Sequence, residues 1–205
     1  MNELYTAIKN HFAPRNLSAA PAVSVGGGIV GIPCTAHGFK SGDTIILSGT
    51  TNYDGTYTVG GTTTTNQIDI TAAFVAETFA ITDEAQSGLY DAISGQLELK
   101  KARQSISFPY IVYFIVTDTY DLYWPEDHQE IDIQFNIYSQ SSSPLEAGTI
   151  YGYLKEVFDD CDLTVSGWRH IEMIRDFAVS DDDIEVDPPT WGYAVQYNVI
   201  LEKER

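Results

Sequence analysis

Residues 18–85 differ in texture from the rest of the chain, and this difference limits the possible architectures most strongly. The stretch is rich in Gly, Thr, Ala and Val and poor in charge, and turn signals such as Gly26-Gly27-Gly28 and Asp54-Gly55 divide it into short alternating runs. Such a pattern is typical of a small antiparallel barrel or sandwich, with a hairpin expected at Asp54-Gly55. We predict strands at 22–25, 29–36, 44–48, 55–59 and 67–71.

The flanking sequence has longer periodic segments. Leu4, Ile8 and Phe12 form the apolar stripe of a short helix, and this stripe needs a partner for burial. We therefore predict a discontinuous α+β core, 1–17 plus 86–205, with 18–85 inserted and a mostly antiparallel sheet packed by helices. Its predicted elements are a short helix at 87–94, a strand apolar on both faces at 110–116, a strand at 130–138, a helix that begins at Pro144, and strands at 163–179 and 191–202.

Charge is distributed unevenly. The chain has 29 acidic and 11 basic residues, a net charge of −18, and residues 108–187 hold eighteen acids against three bases. This excess disfavours binding to nucleic acid or to anionic lipid, and no apolar run approaches the length of a membrane span. The segment is either a solvated acidic surface or a surface that repels an anion such as DNA passing through. The N-terminus lacks the pattern of a signal peptide, so we expect synthesis and assembly in a cytoplasm.

Acidic residues of this segment are the candidate lining of a channel or of the faces of a ring. Asp181, Asp183, Glu185 and Asp187 recur at every second position, so on an extended chain they would share one face. Clustered carboxylates suit calcium, but the glycine of an EF-hand loop is missing and two prolines follow, which favours an exposed acidic loop. The full candidate set is Asp118, Asp121, Asp181, Asp182, Asp183, Glu185 and Asp187.

Lys100, Lys101 and Arg103 form a basic cluster in an otherwise acidic chain. Basic residues often protect the edge of a sheet from mispairing. The alternative is a contact with an acidic neighbouring subunit.

Signatures of catalysis are missing from the sequence. There is no G-x-S-x-G, the glycine run at 26–28 is not followed by Gly-Lys-Ser/Thr, and the four histidines are scattered. We expect no enzyme, no cofactor and no bound metal. Cys34 and Cys161 have no metal-binding spacing and are predicted to be reduced, partly buried thiols.

Several segments resemble the tail terminator or tail completion proteins of tailed bacteriophages. These are the opening Leu4-Tyr5-Thr6-Ala7-Ile8, the strand from Pro109 to Tyr113, the strand end Ile137-Tyr138-Ser139 with the long helix after it, LTVSGW, and the final YAVQYNVILE. The resemblance covers roughly 1–13 and 86–205, in the family's order. Residues 18–85 depart from it and are similar to a small β module of phage tail and fibre proteins.

The resemblance implies a structural virion protein, assembled in the host cytoplasm, that forms a ring of six copies at the head-proximal end of the tail. Its partners would be other copies of itself, the tail tube protein and a neck protein. DNA would pass through without specific binding. The ring would stop polymerisation of the tube and present the surface for head attachment. The alternatives are a head-completion or stopper protein, or a host-surface binding module in which Tyr53 and Tyr57 stack on sugar rings.

Overall fold

The structure is a computed structural model that describes residues 2–123, 126–185 and 187–204, with the side chains of 120–127 outside the description. The described residues form three helices and twelve strands in three mostly antiparallel sheets, none of them a closed barrel. The predicted α+β class is confirmed. Two compact units are present: unit 1 runs to His11 and resumes at Ala92, and unit 2 is Phe12–Asp91. The predicted limits, 17/18 and 85/86, fall inside the span of unit 2.

Unit 2 contains two sheets, in the orders β1-β7-β4-β5 and β2-β3-β6. Both contribute side chains to one buried core, as in a sandwich; Val30 and Ile68 come from one sheet, and Ile45 and Ala85 from the other. The chain enters from α1 (Asn2–Phe12), and the elements are β1 (Arg15–Asn16), β2 (Val23–Gly26), β3 (Ile29–Pro33), β4 (Thr44–Ser48), β5 (Gly55–Thr58), β6 (Gln67–Thr71), β7 (Glu84–Ser87) and α2 (Gly88–Ala92).

Turn chemistry accounts for two hairpins of unit 2. Gly27 and Gly28, with φ of 63° and 79°, form a tight hairpin between β2 and β3. The hairpin expected at Asp54-Gly55 joins β4 to β5, and Gly55 pairs with Leu47 as the first residue of β5. Its loop is longer than a two-residue turn, and Asp54 closes this loop by accepting hydrogen bonds from the backbone N–H and the hydroxyl of Thr50, at 2.8 and 2.9 Å.

Unit 1 is built on a five-stranded sheet in the order β11-β12-β10-β9-β8, in which only β8 and β9 run parallel among the described strands. β9 and β10 form one long hairpin that extends well beyond the predicted segments, because polar residues continue the pairing to Tyr123 and Glu126. The elements are β8 (Leu97–Leu99), β9 (Tyr110–Tyr123), β10 (Glu126–Ser139), α3 (Leu145–Phe158), β11 (Trp168–Ser180) and β12 (Trp191–Lys203).

One face of this sheet carries the core of unit 1. Phe135, in the middle of β10, is fully buried and contacts the rings of Tyr113, Phe158 and Tyr197 at centroid distances of 4.9 to 5.7 Å. Phe158 is the last residue of α3. The end of α1 contacts α3, where His11 Nε2 lies 3.0 Å from the Val157 carbonyl oxygen. Leu4 and Ile8 of the apolar stripe are buried in unit 1, and Phe12 is buried in unit 2, where its ring centroid lies 5.1 Å from that of Tyr90.

Two expectations for unit 1 are corrected by the structure. The strand predicted from residue 163 begins only at Trp168, because Gly167 has a φ of 77° and a turn joins the Trp168 N–H to the Val165 carbonyl at 3.1 Å. The strand at 110–116, apolar on both faces, is buried on both faces only near its start: Ile111, Val112 and Tyr113 are buried, whereas Val116 is 46% exposed. Its second face belongs to the surface considered next.

Candidate interaction surfaces

The outer face of the five-stranded sheet is the face opposite Phe135 and α3, and it carries exposed apolar side chains. Cross-strand partners point to the same side of a sheet, so the pairing of Phe177 with Gln196 and of Val179 with Ala194 places both on this face. Phe177 is 45% exposed and Val179 is 52% exposed. Rings also line up near β9, where Tyr110 contacts Phe108 and Tyr138 at about 5 Å. Apolar surface of this kind is typical of an interaction site.

The predicted acidic residues divide between the two ends of this sheet. Asp118 pairs with Ile131 on the long hairpin, and Asp121 lies closer still to the hairpin turn, with its side chain outside the described set. Asp181, Asp182 and Asp183 lie at the other end, where Ser139 pairs with Trp191 and Asp183 bridges Thr190. Eight positions of β10 separate these levels, which corresponds to roughly 27 Å at ~3.4 Å per residue. The candidate acidic residues thus lie at two levels of one sheet.

Near the hairpin end, acids are tied to neighbouring amides and hydroxyls. Gln129 Nε2 donates to Asp118 Oδ1 at 2.6 Å, and Asn198 Nδ2 donates to both Glu130 and Asp132, at 2.9 and 3.1 Å. These bonds to neutral donors hold the carboxylates in place, and within the described residues none of the three acids forms an ion pair. This end of the sheet therefore keeps a negative field.

The linker between β11 and β12 is extended only over its first part. Asp183 forms an antiparallel bridge with Thr190, so the extended pairing stops there and the predicted alternation does not continue to Glu185 and Asp187. Asp182 accepts hydrogen bonds from the Ser180 hydroxyl at 2.6 Å and from the Gly192 N–H at 3.1 Å. Across the described ranges no group of three or more His, Cys, Asp or Glu side chains is arranged to hold a metal ion, so the calcium hypothesis gains no supporting geometry.

The basic cluster lies at the opposite edge of the sheet from β11. Lys100 follows β8 directly, and its N–H donates to the Tyr113 carbonyl at 2.9 Å, so the backbone stays paired to β9. Lys101 and Arg103 are exposed, and Arg103 forms a 2.6 Å ion pair with Glu98. The placement of these residues beside an end strand agrees with edge protection, and it leaves the intersubunit alternative open.

His170 is a buried polar residue that the sequence did not single out. Its side chain is 3% exposed, and neither ring nitrogen has a hydrogen-bond partner among the described atoms. Burial lowers the pKa of His170, and the Asp162 carboxylate, 3.7 Å away, opposes that shift without reaching hydrogen-bond distance. The ring lines an open cleft of about 550 Å³ between the 162–168 loop and Glu204. Only the tertiary fold creates this environment, so no sequence pattern indicates it.

Two further predictions concern aromatic and sulfur side chains. Tyr53 is 1% exposed and its hydroxyl bonds both the N–H and the carbonyl of Val75 at 2.7 Å, so it packs in the core of unit 2 instead of presenting a ring to a sugar. Tyr57 is partly buried against the same core. Cys34 and Cys161 are free thiols, as predicted, and both are buried.

The fold and these surfaces define an acidic α+β protein of two compact units, with exposed apolar side chains on the outer sheet face and charged sheet edges in unit 1. No helix in the described ranges has the length and hydropathy of a membrane span.

No protein-family model matches the chain, and no curated protein sequence matches it either. Among solved structures, the chain aligns with one chain of the "Virion of native gene transfer agent (GTA) particle" with a TM-score of 0.46 and 8% identity. The alignment covers 56% of this chain and 84% of that chain.

Proposed function

We propose that this chain is a structural virion protein that forms a ring at the head-proximal end of a phage tail, ends polymerisation of the tail tube and offers the surface for head attachment. Six copies, a tail tube protein and a neck protein as partners, and a DNA channel follow from the family resemblance. No catalytic role is part of the proposal.

One observation carries the proposal: segments that resemble the family in sequence are packed together in one unit. Tyr5 of the opening helix motif contacts Tyr113 of the Pro109–Tyr113 motif, with ring centroids 5.9 Å apart and the Tyr113 hydroxyl 3.3 Å from the Tyr5 carbonyl oxygen. The Ser139 hydroxyl, at the end of the third motif, donates a hydrogen bond to Glu146 in the first turn of the long helix. Motifs more than a hundred residues apart thus share one core, as expected if they belong to one family fold.

Electrostatics supports the same proposal. The sheet of unit 1 carries clustered carboxylates at two levels, Glu130 and Asp132 in the middle part of β10 and Asp181, Asp182 and Asp183 directly after β11. Acidic surfaces repel the phosphates of DNA, so a conduit bordered by such surfaces lets the duplex slide. A host-surface module that uses Tyr53 has no comparable support, because that ring is in the core.

The test is native mass spectrometry and negative-stain microscopy of the purified full-length chain, alone and mixed with tail tubes of the phage that encodes it. The proposal expects a closed ring with a central opening, seated at one end of the tube. It also expects no shift in the fluorescence anisotropy of a labelled duplex at low salt, where non-specific DNA binding is strongest. A chain that forms no ring in either condition, or that binds the duplex, contradicts the proposal. Rings that bind the portal side of a head but not tubes indicate a stopper protein.

A further inference from the structure

We propose that the two outer edges of the unit 1 sheet bind each other between copies of this chain, head to tail. The acidic edge consists of Glu172, Ile174, Asp176, Phe177 and Val179 on β11. The basic edge consists of Leu99, Lys100, Lys101, Arg103 and Phe108, around the end of β8. This inference rests on the proposed function, since it specifies which surfaces join neighbouring copies in the ring.

The acidic edge combines exposed apolar side chains with unneutralised negative charge. Ile174, Phe177 and Val179 are 48%, 45% and 52% exposed, so they form an apolar strip along an end strand of the sheet. Glu172 and Asp176 are exposed beside this strip. The two arginines of β11 do not cancel them, because Arg169 is paired with Glu202 at 3.2 Å and Arg175 with Asp159 at 3.1 Å.

The basic edge has the matching composition with the opposite charge. Leu99 is 41% exposed and Phe108 is 38% exposed, and the exposed Lys100 and Lys101 follow directly in the chain after Leu99. These two lysines carry the positive charge of this edge, because Arg103 is paired with Glu98 at 2.6 Å. Apolar centres flanked by opposite charges attract each other and also fix the orientation of the contact.

The two edges also lie at the same level along the strands. Phe177 of β11 pairs with Gln196 of β12, Gln196 pairs with Gln134 of β10, and Gln134 pairs with Phe114 of β9. Phe177 and Phe114 therefore lie at the same level across the sheet. Lys100 bonds Tyr113, the residue before Phe114, so the two edges differ by about one residue in height. A contact between two different patches of the same chain is heterologous; it closes into a ring when successive copies are not displaced along the axis and otherwise grows into a filament. Because the two edges lie at nearly the same level, copies can join edge to edge without a shift along the strands, which satisfies this condition when the strands run along the ring axis.

A second copy is therefore the occupant that fits each edge best. Each edge is complementary to the other in charge, in apolar content and in height, and both are present on every chain. The outer-edge lysines, which the sequence suggests could protect an end strand from mispairing, would instead select the correct neighbour.

The test uses two charge-reversed variants of the full-length chain. Lys100→Glu with Lys101→Glu makes the basic edge acidic, and Glu172→Lys with Asp176→Lys makes the acidic edge basic. Arg103 is left unchanged because of its ion pair with Glu98. Each variant alone then presents like charges at every contact and should associate at least about tenfold more weakly than the unaltered chain. Sedimentation velocity and native mass spectrometry measure the association, and circular dichroism checks that both variants are folded.

Mixing the two variants gives the sharpest outcome. Each edge of one variant is complementary to the facing edge of the other, so the mixture should restore rings that contain equal numbers of both. Lys155→Glu with Lys203→Glu changes the net charge by the same amount as the basic-edge variant, but on α3 and β12, at positions that belong to neither edge, and should assemble normally. Phe177→Ser should weaken assembly without changing any charge.

The remaining outcomes separate this inference from the proposed function. If the unaltered chain forms rings and both reversed variants also form them, the interface lies elsewhere and the inference is wrong while the ring stands. If each variant fails to assemble and the mixture does not recover, the two edges do not face each other. Where rings form only on tail tubes, the same variants and mixture are scored there. A chain that never forms a ring overturns both proposals, and a two-copy assembly overturns the head-to-tail contact.

Discussion

The Tyr197 hydroxyl donates a hydrogen bond to Asp159 Oδ1 across 2.8 Å, which ties the middle of β12 to the residue that ends α3. Asp159 also receives the Arg175 guanidinium at 3.1 Å, and the same guanidinium donates to the Tyr151 hydroxyl on α3. Two strands and a helix are thus joined at one carboxylate. Burial is the main reason that the pKa of Tyr197 is raised above its usual value, so the hydroxyl stays protonated and remains a donor.

Tyr197→Phe removes this donor without opening a cavity. We expect a loss of about 1–2 kcal/mol in the free energy of unfolding, since the ring stays buried while the carboxylate loses one of its partners. The midpoint of urea denaturation measures the change. Tyr193→Phe is the matched control, because it also removes a tyrosine hydroxyl from β12. The Tyr193 ring stacks on Tyr151 at a centroid distance of 4.9 Å, and its hydroxyl forms no hydrogen bond within the described residues. Equal losses in both variants would show that the Asp159 bond contributes nothing.

His37 should make unit 2 less stable in mild acid. Its Nδ1 accepts from the Phe39 N–H at 2.9 Å, so in the neutral ring Nε2 carries the proton and donates to the Thr64 carbonyl at 2.6 Å. Burial lowers the pKa of His37, and a lowered pKa means that the unfolded chain takes up the proton first. The stability contributed by neutral His37 is therefore complete above about pH 6.5 and is lost as the pH falls through the folded-state pKa.

Nitrogen-15 NMR of the imidazole and denaturation between pH 7.5 and 5 measure these two effects. We expect the Nε2–H tautomer at pH 7.5, a titration midpoint below the usual histidine range, and a smaller loss of stability on acidification in His37→Gln. A His37 that titrates at or above about 6.5 would contradict the assignment.

Neither thiol should react in the folded chain. Cys34 is fully buried, and burial raises its pKa to about 11, so only about one thiol in a thousand is ionised at pH 8. Cys161 is 3% exposed, with its sulfur 3.6 Å from the Met173 sulfur. Ellman's reagent at pH 8 should detect almost no thiol until guanidinium is added, and then two per chain. Rapid release of one equivalent from the native chain would show that one of the two sites opens.

The sequence predicts best where local chemistry alone determines the structure. β4 and β6 match the predicted 44–48 and 67–71, because alternating apolar residues and flanking turn residues agree there. β7 and β8 were missed, since Glu84–Ser87 and Leu97–Leu99 are too short to show a period and depend on their neighbours in the sheet. The sequence also places Arg15–Asn16 in the wrong unit. This short strand belongs to unit 2 because it pairs with Glu84 and Ala85, a tertiary contact that two residues cannot indicate by themselves.

The candidate surfaces were predictable in residue type but not in arrangement. The acidic residues and Lys100, Lys101 and Arg103 are evident from charge alone. That the acids divide between two ends of one sheet follows from the long hairpin, whose polar half has no apolar pattern. The apolar run at 110–116 predicts a strand with two apolar faces, but it does not indicate where along the strand the burial ends, because that depends on which other elements cover it.

The aromatic centre of unit 1 should dominate its stability. Phe135→Leu removes a ring that contacts Tyr113, Phe158 and Tyr197 in a fully buried site, and we expect a loss of about 1–2 kcal/mol, smaller than the about 3–5 kcal/mol of a Phe→Ala change. Leu145→Ala, at a position 77% exposed at the start of α3, is the control and should change the free energy of unfolding by less than about 0.5 kcal/mol. Denaturant titrations of both variants measure the difference. An equal effect would place the main core elsewhere.

Unit 2 should fold without the rest of the chain. Its two sheets enclose a core of their own that includes Val30, Ile45 and Ile68, each fully buried, and its strand pairings all join residues between 15 and 87. A fragment of residues 12–91 should therefore unfold cooperatively and show dispersed amide signals in NMR. Ile45→Asp in the same fragment should abolish that dispersion, because it buries a carboxylate without a partner. A fragment that is unfolded while the full-length chain is folded would show that unit 2 depends on residues outside 12–91.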